Sequence, residues 1–252
     1  MNKLGSPQER ATRPWLHRYL AGECAAVWEE LEALGPIPEP AIREEAKRVA
    51  DETMRRVAEV IGELGVRLVS VGYPLRRQPA EDPEVGARIA RLAEVAGGLV
   101  PISIAAFWRT VGAIDFATIQ DADLPDWMPT DVRWLAKLDP LVVDRLHDAW
   151  YSVREWPDEL DAAPTEVGSL ELTIAPDRFH KVNVSGGPAY AIRLPDASAD
   201  PTIRSLEGEP YLVPYLRQAV MRGGFAGVSP DEPVSPGWGR IIAELTRDLP
   251  SF

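Results

Sequence analysis

His180-Lys181, with Asn183 and Ser185 close behind, is the most suggestive polar group in this 252-residue chain. A histidine can take a proton from a serine hydroxyl near neutral pH, and an amide can donate to the charge that then develops. On that reading His180 is a general base, with Ser185 as nucleophile or Asn183 as donor. The competing reading is a hairpin shoulder, in which Asn183 and Ser185 bond local backbone groups. Strand alternation would put Lys181, Asn183 and Ser185 on one face and Val182 and Val184 on the other. No orienting partner for His180 stands out, so no catalytic residue is assigned.

The other chemical candidates are weaker. Asp121-Ala-Asp123-Leu-Pro-Asp126, with Asp131, offers carboxylates to a hard cation. It lacks the glycine of a calcium loop, and Pro125 intrudes, so it reads as a solvated acidic loop. His17, His147 and His180 have no second histidine or cysteine at ligand spacing, which argues against zinc. Ser185-Gly186-Gly187 lacks the lysine and following helix of a phosphate loop. No metal or cofactor is expected.

Charge points elsewhere. The chain carries 27 basic and 39 acidic side chains, net −12. Residues 1–110 are nearly balanced, whereas residues 111–252 carry 12 basic and 23 acidic groups. Such a field repels nucleic acid and speeds encounter with a basic protein. Asp115, Asp121, Asp123, Asp126, Asp131, Asp139, Asp144 and Asp148 are the candidates for an acidic partner-binding face, with Trp127 and Trp134 as anchors. No apolar run approaches the roughly 20 residues of a membrane span. Cys24 is the single cysteine, and the first ten residues lack the apolar stretch of a secretory signal. A reducing compartment, the cytoplasm, is the expected location.

The elements that must position these residues follow from periodicity. Leu16, Leu20, Cys24, Val27, Leu31 and Leu34 form one helical stripe, predicting a helix over about 8–34 that ends at Gly35-Pro36. A second helix is predicted over about 38–64, antiparallel to the first because the connection is short. Helices are also expected near 84–96, 100–112, 210–222 and 238–249, with a short one within 140–150. Strands are expected near 66–73, 113–119, 170–175, 181–184 and 189–194, the last two joined by a turn at Ser185–Pro188. The fold class is α+β: an antiparallel sheet flanked by helices, preceded by an antiparallel helical pair.

Three segments carry a family resemblance. Val100-Pro101 through Gly112 is a proline-led helix ending in glycine before a strand. Asp139-Pro140-Leu141 lies in the acidic region. Tyr211–Phe225 is a late helix closing on Gly223-Gly224. In that order they resemble the SUKH (SMI1/KNR4) superfamily over roughly residues 66–227. The resemblance implies an α+β domain over 66–252, with residues 1–65 as a helical extension packed on it. It also implies a non-catalytic protein-binding module, either a scaffold protein or an immunity-type protein that neutralises a toxin; the acidic face makes a basic toxin domain the expected partner to be occluded. The alternative is an enzyme or small-ligand protein using the His180–Ser185 region.

Overall fold

The computed structural model describes residues 14–75, 82–117, 124–146, 170–229 and 231–252. The fold is α+β. Two helices, α1 (Trp15–Leu20) and α2 (Cys24–Ala33), lead into α3 (Pro40–Ser70), which starts on a proline in its first turn. Then come α4 (Val85–Val95), α5 (Ile102–Thr110), β1 (Ile114–Asp115), α6 (Val132–Leu138), β2 (Val142–Val143), β3 (Leu170–Ala175), β4 (Tyr190–Leu194), α7 (Leu212–Met221) and α8 (Trp238–Thr246).

The predicted first helix is broken in two. Gly22 takes φ 98°, a left-handed turn between α1 and α2, and Leu20 consequently points to solvent. The pairing with the next helix is nevertheless antiparallel. Cys24 faces Arg56, and four residues on, the Trp28 indole donates to Thr53 Oγ1 at 3.0 Å.

α3 corrects a second expectation. Residues 66–70 continue the helix, although Val66, Val69 and Val71 favour strands. The apolar rhythm Ile61, Leu64, Leu68 is buried and keeps the helical period, while Val66 and Val69 are 70% and 59% exposed. A β-branched residue costs a helix only a few tenths of a kcal/mol, so three core positions outweigh it. The helix stops at Gly72, φ 81°. α3 packs against α1, α5, α7 and α8, which makes it the spine of the molecule. The 65/66 boundary expected between extension and domain therefore falls inside one helix.

The sheet is slight. β1 pairs antiparallel with β2, and β3 with β4. The Asp144 amide donates to Ile174 O at 2.7 Å, linking the two pairs in the order β1–β2–β3–β4. Beyond β4, bridges Ala191↔Arg204 and Thr202↔Tyr211 add a hairpin whose tip is residues 205–209. Strands at 170–175 and 189–194 match expectation. Of the short helix expected within 140–150, Val142–Val143 are strand, Leu146 is helical and residues 147–150 lie outside the described residues; α6 forms where no element was predicted. The expected strand at 181–184 is a 3-10 turn, His180–Val182.

Candidate functional site

Asp177 organises the turn that matters. Its Oδ1 accepts from the Phe179 and His180 amides at 3.0 and 2.8 Å and contacts His180 Nδ1 at 2.8 Å. The Gly187 amide binds the same carboxylate. Burial alone would raise this acid, but the His180 amide and ring and the Gly187 amide hold it below its ordinary value. Asn183, at φ 60°, ends the turn. A 3-10 turn repeats every three residues, so the strand alternation expected here does not apply. Lys181 points inward alone, while Asn183 and Ser185 are exposed.

Lys181 is sealed from solvent. Its Nζ donates to Asp139 Oδ1 at 2.6 Å and lies 4.7 Å from the centre of the Tyr190 ring. Burial pulls the ammonium below its usual pKa, against the opposite pull of Asp139. Asp139 caps the end of α6 in a left-handed conformation, φ 48°. Leu138–Leu141 is zipped to Gly224–Gly227: Leu141 N donates to Gly224 O, Ala226 N to Asp139 O and Gly227 N to Leu138 O. This backbone clamp aims the Asp139 carboxylate at Lys181 and at the Tyr190 hydroxyl, which donates to Oδ2 at 3.1 Å. Burial, then Asp139, push the Tyr190 phenol upward.

In front of this pair opens a cleft of about 780 Å³. Asp139, Tyr190 and Tyr215 line it, with Arg178 and Phe179 from the turn, residues 205–209 from the hairpin tip and Pro210 after it, Gln218 from α7, and Arg222 at that helix's C-terminal cap. Tyr215, Gln218 and Arg222 stand at i, i+3 and i+7, one face of that helix. The Gln218 amide and the Arg222 guanidinium both donate to Ala226 O, fixing the far wall. Tyr215 is 3% exposed, yet its hydroxyl has no hydrogen-bond partner among the described residues. Burial, then Asp139 and Tyr190, raise its phenol well above the ordinary value. The volume falls within the usual range for small-molecule sites, about 300–1,000 Å³.

The sequence-derived candidates scatter. Trp127 is 8% exposed and belongs to the core, its ring packed on Tyr73, Phe225 and Trp238 at centroid distances of 6.1, 6.4 and 6.0 Å. Its indole donates to Val71 O, so it is no surface anchor. Asp139 is buried against Lys181 and does not belong to an acidic face. Asp131 is exposed but caps α6, accepting from Arg133 N and Trp134 N. Trp134 is half-buried under the Lys137 ammonium, 4.7 Å away. Asp126 is exposed, whereas Asp115 and Asp144 are half-buried. Asp121, Asp123 and Asp148 lie outside the described residues.

Of the His180–Ser185 group, only Lys181 enters the Asp139 cluster. His180 does have an orienting carboxylate in Asp177, the partner the sequence reading missed, but neither His180 nor Ser185 lines the cleft. Tyr190 and Tyr215 were also missed. The available signal for Tyr215 was its i, i+3, i+7 spacing with Gln218 and Arg222. Among the described residues no three His, Cys, Asp or Glu side chains gather to hold a metal, and no helix is long and apolar enough to cross a membrane. Set beside family models, curated proteins and solved structures, the chain matches none of them.

Proposed function

We propose that this protein is a non-catalytic binding protein and that the cleft floored by Asp139, Tyr190 and Tyr215 holds a small polar ligand. One observation carries the proposal: a tyrosine hydroxyl buried beside a roomy cleft with no partner among the described residues. Leaving such a group unmade costs about 1–3 kcal/mol, and a bound molecule would recover it. Binding is favoured over catalysis because Asp139 and Lys181 neutralise each other and the ammonium is sealed away from the cleft. The test is native mass spectrometry of the protein purified gently from its own cells, beside Tyr215→Phe. A non-covalent small-molecule adduct on the wild type, lost in the variant, is expected. Bare chain in both removes the proposal.

A second reading keeps the immunity-type module suggested by the SUKH resemblance: a cytoplasmic protein that covers a basic toxin domain. The −11 balance of residues 111–252 and the exposed Asp126 and Asp131 favour it. With Trp127 and Asp139 withdrawn, steering rather than anchoring would be the acidic contribution. Affinity capture at low and high salt tests it: a single basic partner should appear at low salt and be lost at high salt.

A further inference from the structure

The cleft is balanced in charge, and that restricts what it can hold. Its lining carries three cationic side chains, Lys137, Arg178 and Arg222, and four acidic ones, Asp139, Asp177, Glu207 and Glu209. Lys181, directly behind Asp139, is the fourth cation. At the floor the balance is local. An anion entering beside Tyr215 meets the Asp139 carboxylate, and a cation would share that carboxylate with an ammonium only 2.6 Å from it. Either ion would also leave water for a site that offers no net compensation.

A hydroxyl meets neither objection. It can accept from the Tyr215 hydroxyl and donate onward to Asp139. Each Asp139 oxygen takes one side-chain hydrogen bond, from Lys181 and from Tyr190, and has a second lone-pair direction to spare. The ionised acceptor makes that onward bond a charge-assisted one, stronger than a neutral pair. Phe179, Pro188, Leu206 and Pro210 give the remaining wall an apolar character suited to C–H surface.

We propose that the cleft takes a neutral, hydroxyl-bearing small molecule, one hydroxyl of which bridges Tyr215 and Asp139. The proposal rests on the cleft being a binding site. Two sources share this chemistry, a free sugar or polyol and the ribose of a nucleoside.

The experiment is calorimetric titration of the full chain, wild type and Tyr215→Phe, with glucose, sucrose, inositol and adenosine. Gluconate, glucosamine and glycine serve as anionic, cationic and zwitterionic comparators. The expected result is saturable binding of at least one neutral probe, weakened about tenfold or more by Tyr215→Phe. The charged analogue should bind correspondingly worse. Preference for adenosine over the sugars would assign the ribose source, and the reverse a free polyol. Equal binding of a neutral probe by both proteins overturns the bridge. Tyr215-dependent binding confined to a charged probe overturns the ligand class while the cleft stands. If no probe binds, the ligand class falls alone when native mass spectrometry still finds a Tyr215-dependent adduct, and falls with the binding reading when it does not.

Discussion

Asp139, Lys181, Tyr190 and Tyr215 share one site but differ in what they hold. Lys181 and Asp139 compensate each other with both side chains buried, so removing one leaves a buried, unpaired charge. Lys181→Met is expected to destabilise the fold by about 3–5 kcal/mol, and adding Asp139→Asn should return part of that, both read from urea unfolding. Tyr215→Phe should behave oppositely. It deletes a hydroxyl that no described residue satisfies, so unfolding in the absence of ligand should show unchanged or higher stability, by up to about 1–2 kcal/mol. A clear loss of stability would mean the hydroxyl is already bonded within the protein.

Asp200 sets a pH dependence at the same scale. It is buried between the Ser103 hydroxyl and the Val213 amide, and burial raises its pKa to about 7 despite those two donors. An unfolded aspartate titrates near 3.9. The folded state therefore holds the extra proton between about pH 4 and 7. The stability contributed is fully present below about pH 4 and is lost as pH rises through about 7, by on the order of a few kcal/mol. Asp200→Asn keeps an acceptor and a donor but cannot ionise. Its stability relative to wild type should improve between pH 5 and pH 7.5, measured by urea unfolding at both values.

At the scale of elements, the turn from Asp177 to Gly187 is set by one glycine. A Cβ on Gly186 would strike the Asp177 carboxylate and come within 2.7 Å of Phe179 Cβ. Gly186→Ala should therefore displace the carboxylate that holds the turn and loosen Lys181, costing about 1–3 kcal/mol. The neighbouring Gly187 offers a control, because its added Cβ would lie 3.5 Å from Asp177, an ordinary contact. Gly187→Ala should cost distinctly less in the same unfolding assay. Similar losses in both would point to chain flexibility rather than this close approach.

The whole molecule turns on α3. Residues from Tyr19 to Phe252 belong to one buried cluster, and α3 supplies it with Val49, Met54, Val57, Val60, Leu64 and Leu68. A chain of residues 66–252 would lose nearly all of that spine and expose the faces of α5, α7 and α8 packed on it. It is expected to lack a cooperative thermal transition, which circular dichroism would register. A sharp transition would instead establish residues 1–65 as a dispensable extension.

Much of this architecture was legible in the chain itself. The stripes Val27–Leu31, Val57–Leu64 and Leu212–Val220, the strands at 170–175 and 189–194, and the α+β class all depend on local spacing, which needs no neighbours to be read. The sequence also contained the chemical group at 180–185, but it could not say which member turns inward. That depended on Asp177 winding a 3-10 turn, a choice set by three local hydrogen bonds rather than by periodicity. Tertiary structure alone decided the rest. It carried helix α3 past its β-branched end, because core contacts outweigh propensity. It buried Trp127 among aromatics from distant segments. It also brought Asp139, Lys181, Tyr190 and Tyr215, spread over 77 positions of the chain, around one cleft, since a buried charge is stable only where its partner has been folded against it.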